Sequence, residues 1–261
     1  MKFARRSVLT AVLPPIALFL LMLAAWQGIV GLWKIPPFFL PSPTDVGHAA
    51  LENLGKLASA TWITAAGAAA GFLASLVIGV FVAIIFSQSA IVRRSFFPYA
   101  IFFQTVPIVA IAPLIVLWSG TGFRSVVLVA FIVSVFPIIT NATAGLTSID
   151  PDLLDLFRLH GASRWQTLFK LRLPGAVPST VTGAKTSSGL AVIGTIVGEF
   201  FVGYDPSEHF GLGYLIQEST TQLKVDLVLC AVVLATLLGL FVFGAVSLIG
   251  AIVLKRYSQT G

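Results

Sequence analysis

Charge is what this sequence has least of: Asp, Glu, Lys and Arg make up 10% of its 261 residues, against about 25% in soluble domains. With 57% hydrophobic residues and a mean hydropathy of +0.98, a soluble globular domain is excluded. The chain reads as an all-α integral membrane protein, because only helices or closed barrels satisfy the backbone in lipid and its apolar runs are of helical length. Cysteine is nearly absent too. Cys230 alone permits no disulfide framework, and its apolar surroundings mark it as a buried small hydrophobe. The three histidines, His48, His160 and His209, are too scattered to suggest a metal site. The net charge of +6 is dispersed among apolar runs, so no face for nucleic acid emerges. Catalytic signatures are missing as well: there is neither His-Glu-x-x-His nor Gly-x-Ser-x-Gly. Gly183-Ala-Lys-Thr only approaches a phosphate-binding loop, with Pro178 where its first glycine belongs and no strand before it. The chain is therefore read as no enzyme and as binding no cofactor directly.

What the sequence does hold is six apolar runs, at 8–30, 60–86, 96–118, 124–146, 178–202 and 226–254, read as six transmembrane helices. The first follows Lys2, Arg5 and Arg6, is too long for a signal-peptide core and lacks a small-x-small cleavage site, so it is an uncleaved span bent at Pro14 and Pro15. An amphipathic stretch around Val46, Leu51, Leu54 and Leu57 is expected to lie in the interface. The division expected is 1–59, an N-terminal helix and periplasmic segment, and 60–261, a five-helix core. Gly67, Gly71, Ser75, Gly79 and Ala83 recur every four residues, a stripe for close packing inside the subunit or, alternatively, for a dimer seam. Arg93 and Arg94 mark a short loop.

The third span is interrupted by Pro98, Pro107 and Pro113. Freed carbonyls in a membrane need neighbours or a wet cavity. Gln104, Thr105 and Pro107 are thus candidates for a translocation path, with a merely kinked helix as the alternative. The fifth span is the least apolar and carries Lys185 and Glu199 on the side shared by Thr182, Ser188, Gly189, Val192, Thr195 and Ile196. Ser188, Val192, Thr195 and Glu199 join the path candidates, since intramembrane charge usually faces a bundle interior. Lys185 can equally snorkel to an interface. Residues 204–224 form a polar loop containing Gly211-Leu-Gly213. With the N-terminus in the cytoplasm, twelve of the sixteen Lys and Arg fall inside and only Lys34, Lys56, Arg124 and Lys224 outside. Both termini and the 148–178 segment are accordingly expected in the cytoplasm of a cell whose inner membrane the chain spans.

That segment, between the fourth and fifth spans, punctuates itself as two short helices. Asp150 caps the first with Pro151 at its first position, Gly161 stops it, and Ser163 with Gln166 opens the second as a capping box. Pro174 and Pro178 are expected to end the excursion. Asp155, Leu156 and Phe157, three residues, Gly161, nine residues, then Leu171, Leu173 and Pro174 resemble the "EAA" loop of permease subunits of ATP-binding-cassette (ABC) importers. In that pattern Asp155 stands for Glu, while Leu156 and Phe157 replace two alanines. The resemblance extends from about Pro41 to the C-terminus and is nearest the nitrate, sulfonate and taurine branch, which includes permeases for thiamine-precursor pyrimidines. It implies an elbow, carried by Asp155, Leu156, Phe157, Gly161, Ala162, Trp165, Leu173 and Pro174, that couples to an ATPase dimer holding Mg-ATP. It also implies a homodimer, a solute-binding protein on the outer face and a small solute, either an anion or a heterocycle. An ion-coupled secondary transporter is the alternative, with Glu199 as its one serious carboxylate.

Overall fold

The computed structural model describes residues 2–202 and 210–258, with side chains from residue 13 to residue 255. Among these every regular element is helical: α1 (Lys2–Trp33), α2 (Pro43–Glu52), α3 (Leu54–Gln88), α4 (Ala90–Gln104), α5 (Ile108–Ser119) and α6 (Phe123–Thr147) come first. Then follow α7 (Pro151–Leu159), α8 (Arg164–Thr167), a π-turn (Leu168–Arg172), α9 (Leu173–Phe201), α10 (Leu212–Thr221) and α11 (Val225–Ser258). Four helical stretches are long and apolar enough to cross a membrane: Leu13–Trp33, Leu54–Gln88, Phe123–Thr147 and Val225–Lys255. The pair α4 and α5, bent by 100° at its break, would make a fifth. The helix α9 has the length of a span, 29 residues, but mixes Ser and Thr into its apolar sequence. Of the loop expected at 204–224, residues 204–209 lie outside the described residues, as does His209. The remainder is mostly α10.

Two expectations about element ends are corrected. Arg93 and Arg94 lie in α4 rather than in a loop. Ser89 accepts a hydrogen bond from the Val92 N–H, so a single cap residue suffices to start a new helix directly after α3. Pro174 and Pro178 do not end the 148–178 excursion but sit inside α9. The Leu173 N–H reaches back five residues to the Leu168 carbonyl, and this wider turn carries the helix into the proline-bearing stretch without a break. Pro107 behaves as its chemistry requires. It has no N–H to continue a helix and disfavours helical backbone at Val106, and the chain turns there.

The chain forms two compact units. One is Met1–Ala58 with Leu215–Val233. Within it Ser42 and Asp45 close a capping box on α2, and the Ser42 hydrogen bonds hold the Asp45 carboxyl below its usual pKa. Lys56 pairs with Glu218 at 2.9 Å, and the buried Cys230 thiol lies 3.2 Å from the Val46 carbonyl oxygen.

The other unit is Ser59–Tyr214 with Leu234–Gly261, and its centre is the pairing of α6 with α9. That pairing is glycine-mediated. A Cβ on Gly183 would lie 2.9 Å from the Pro137 carbonyl oxygen, and one on Gly145 would lie 3.0 Å from the Ala176 Cα. The stripe on α3 packs on α6 within the chain. Gly71 faces Ala130, Gly79 faces Ile138, and the Ser75 hydroxyl bonds to Ser134 at 2.6 Å. Lipid offers no hydrophobic drive between helices, so close backbone contact and such hydroxyl bonds hold the bundle together.

Candidate functional site

The elbow forms as its cap residues dictate. The Asp150 carboxylate accepts from the Asp152 N–H, and Ser163 and Gln166 exchange both bonds of a capping box. Gly161 stands at φ +66°, the Ala162 N–H returns to the Phe157 carbonyl, and the Gly161 N–H returns to that of Arg158, both at 3.0 Å. This is the double hydrogen bond that seals a helix ending in a left-handed glycine. Nothing lies within 4 Å of where a Gly161 Cβ would point, so the site needs glycine for its backbone angle and not for space.

One open groove of about 410 Å³ runs along the elbow, lined by Leu156, Phe157, His160, Ala162, Gln166 and Lys170. Three of the residues picked out by sequence, Leu156, Phe157 and Ala162, meet here. His160, Gln166 and Lys170 were missed, although 156/160 and 166/170 are one-turn neighbours and helical spacing alone could have found them. Trp165 stacks on Phe169 at 6.1 Å, with both rings more than 60% exposed. Leu159 is 85% exposed. An exposed apolar surface of this kind, outside the membrane-length helices, suits the docking of another molecule. Asp155 is also exposed, paired with Arg158 at 2.9 Å. The closing residues do something else: Leu173 packs on the buried cluster of Ala83, Ala142, Leu146, Leu168 and Ala176, anchoring the elbow to the bundle. Pro174 occupies the first turn of α9.

The path candidates separate into two groups that do not meet in this chain. Gln104, Thr105 and Pro107 are exposed at the bend between α4 and α5. Ser188, Val192, Thr195 and Glu199 are buried. The Thr195 hydroxyl donates to the Ala191 carbonyl, and Val192 packs with Ala68 and Leu238. Glu199 is 5% exposed, and its oxygens are engaged. The Thr64 hydroxyl donates to them at 2.9 and 3.0 Å, and the Gly213 N–H donates to Oε2 at 2.7 Å. Thr64 Oγ1 in turn accepts from the Leu212 N–H at 2.8 Å. The first free N–H groups of α10 are thus capped by two side chains, Leu212 by Thr64 and Gly213 by the Glu199 carboxyl fourteen residues back, as a helix N-terminus favours. Gly211 and Gly213 lie so close to Glu199 that neither has room for a Cβ. Sequence reading had singled out Glu199 and the Gly-Leu-Gly turn separately. Nothing distinguished Thr64 from the other hydroxyl residues of the chain.

Comparison with known proteins identifies the family. Residues 75–258 match the family model "Binding-protein-dependent transport system inner membrane component". The formylaminopyrimidine transport permease ThiX of Halalkalibacterium halodurans is 31% identical, over 90% of this chain and 92% of the relative. The riboflavin transport system permease RibX of Chloroflexus aurantiacus is 33% identical, over 88% and 84%. Other relatives, at 26–27% identity, are named for aliphatic sulfonates, taurine and nitrate. A solved chain of the methionine ABC transporter MetNI, in an inward-facing conformation, superimposes with a TM-score of 0.65 at 19% identity. That superposition covers 77% of this chain and 98% of the solved one, and it speaks to the fold.

Proposed function

We propose, from the premise that this chain belongs to the family of binding-protein-dependent transport system inner membrane components, that its elbow is the joint through which an ATPase moves the bundle. As a member of that family the chain is the permease subunit of an ABC importer in the inner membrane. It is a transport subunit and not an enzyme, working with a separate ATPase and a solute-binding protein. The observation that carries the proposal is mechanical. From Arg164 to Phe201 the chain stays helical, through one π-turn, so the docking surface at Trp165 and Gln166 and the buried side chains Ser188, Val192, Thr195 and Glu199 belong to one continuous helical element. A push on the elbow reaches α9 with no loop between them.

In this reading the bent pair and α9 bring the spans to six, and both termini and the elbow lie in the cytoplasm. Two copies pair, and each elbow seats in one ATPase of a dimer that binds Mg-ATP. Leu156, Phe157 and Ala162 then fill the groove contact, Gly161 sets its angle, and Asp155 and Trp165 border it. Leu173 and Pro174 tie the joint to the bundle. Closure of the ATPases rocks the two bundles between inward-open and outward-open states about a path between them. Gln104, Thr105 and Pro107 line that path in this reading, which their exposure within one chain supports. Ser188, Val192 and Thr195 shape it from behind by packing, and Glu199 fixes its outer rim. The N-terminal part, 1–59, and the five-helix core, 60–261, are read as separate parts. The more identical relatives named above carry heterocycles in their names, so the solute favoured is a small heterocycle of the pyrimidine or flavin type, ahead of a sulfonate-like anion. The ion-coupled alternative rested on Glu199, whose carboxyl oxygens are already engaged by Thr64 and Gly213.

Gly161→Asp tests the joint. Aspartate is among the side chains that enter left-handed backbone at least cost, about 1–2 kcal/mol at most, and nothing lies within 4 Å of its Cβ, so the permease should still be extracted folded. A carboxylate at the tip of a desolvated contact is expected to reduce uptake and substrate-stimulated ATPase activity about tenfold. If both rates survive in the assembled complex, the joint lies elsewhere.

A further inference from the structure

A second opening lies on the other side of the elbow. It is a cleft of about 320 Å³ whose polar lining comes from Ser87, Gln88, Arg158, Arg164, Thr167 and Arg172. Three guanidinium groups converge on it. The Arg172 Nη1 donates to the Ser87 carbonyl at 2.6 Å, which fixes one of them in place at the end of α3. Burial, and then the positive charges of Arg93 and Arg158, hold Arg172 below its ordinary pKa, so a fourth arginine acts on the same spot. Among the described residues only Arg158 of the three has a carboxylate partner, the exposed Asp155. Arg164 has no ion-pair partner among the described residues. Like charges held together without counter-charge repel, and a cleft walled by them recruits an anion. Arginine forks match phosphate oxygens in pairs, with Ser and Thr hydroxyls and the Gln88 amide as further donors.

We propose that this cleft binds the phosphate of an anionic lipid headgroup at the membrane surface where these spans end. Its position argues for lipid. Ser87 and Gln88 are the last residues of a membrane-length helix, and Ile91, three residues on, is 78% exposed. Basic pockets at the ends of spanning helices are where anionic headgroups settle. Its direction argues against an acidic side chain of the ATPase. Leu154 and Arg158 face the cleft, while Leu156, Phe157 and His160 line the docking groove, so along α7 the two openings lie on faces roughly 140° apart and share only Ala162 beyond its end. The proposal does not depend on the ATPase joint, and the permease can be tested without it.

The experiment titrates purified full-length permease with phosphatidylglycerol and with phosphatidylcholine, reading bound lipid by native mass spectrometry. Wild type should prefer phosphatidylglycerol by about tenfold or more. R158Q/R164Q should lose that preference, and R158K/R164K should keep part of it, as point charges do. Should the double variant not purify, R164Q carries the test, since Arg164 has no ion pair to break. Equal binding of the two lipids by wild type, or a preference that survives R158Q/R164Q, overturns the proposal. Inorganic phosphate that stabilises wild type alone, without lipid preference, assigns the cleft to a soluble anion and overturns it too. Loss of ATPase association in R158Q/R164Q with lipid preference intact assigns the cleft to a partner's carboxylate, a third way for the proposal to fail.

Discussion

Gly194→Leu is expected to abolish recovery of folded permease, while Gly244→Leu leaves the yield unchanged. A Cβ on Gly194 would lie 2.8 Å from the Ala130 Cα, 3.2 Å from the Val129 carbonyl oxygen and 3.3 Å from the Ala130 nitrogen. All three are backbone atoms of α6, which cannot swing aside as a side chain could. Gly198 repeats the contact one turn on, 3.1 Å from the Val126 Cα, so displacing α6 at one point breaks the next. Overpacking ordinarily costs about 1–3 kcal/mol. Here the offending group meets backbone in the pairing at the centre of its unit, and the expected cost is at the top of that range or beyond, about 3 kcal/mol or more, a loss of more than about 100-fold in the folded population. Gly244 has nothing within 4 Å and is exposed, so a leucine there meets open space. Size-exclusion profiles of the two variants in detergent, side by side, check the prediction. A monodisperse Gly194→Leu peak at wild-type height would refute it.

The second large effect concerns Glu199. Glu199→Leu removes the acceptor of both the Gly213 N–H and the Thr64 hydroxyl, leaving two donors in a site where Thr64 is fully buried. Each buried group left without a partner costs about 1–3 kcal/mol, so the pair amounts to roughly 2–6 kcal/mol, felt locally at the start of α10. Hydrogen exchange at Leu212 and Gly213 is the direct reading, and protection there is expected to fall by about 100-fold or more. Glu199→Gln should be intermediate, because an amide oxygen still accepts but its NH2 meets a donor. Thr64→Val should reproduce much of the loss, since it removes the link between Glu199 and the Leu212 N–H. The double variant Glu199→Leu with Thr64→Val should cost less than the two singles added together, as one network can be broken only once. Unchanged protection in Glu199→Leu would show that α10 is held by other contacts.

The elbow was legible residue by residue because caps and glycine stops act over three or four residues. Asp150, Gly161, Ser163 and Gln166 each do what their local chemistry requires. The length of its second helix was not legible. Pro174 and Pro178 read as stops, and only the π-turn at Leu168–Arg172 turns them into interior residues. Among the coupling residues, helical spacing finds the groove, but Leu173 faces the bundle because of what α3 and α6 bring to it.

Composition by itself determined that this chain lives in a membrane, and the length of its unbroken apolar runs, too long for barrel strands, determined that it is helical. Local pattern determined the elbow, a proline-broken third span and the use of small residues for packing, while that the break falls at Pro107, with Pro98 and Pro113 inside helices, was read only from the structure. Which helix each glycine meets was decided only by the tertiary structure: Gly71 and Gly79 on α6, with Gly194 meeting the same helix at Ala130, the residue Gly71 also faces. So was the joining of Thr64, Glu199 and Gly213, which are 135 and 14 residues apart in sequence. The reason is that propensity and capping are short-range, whereas a backbone contact or a buried hydrogen bond exists only once two distant segments have packed.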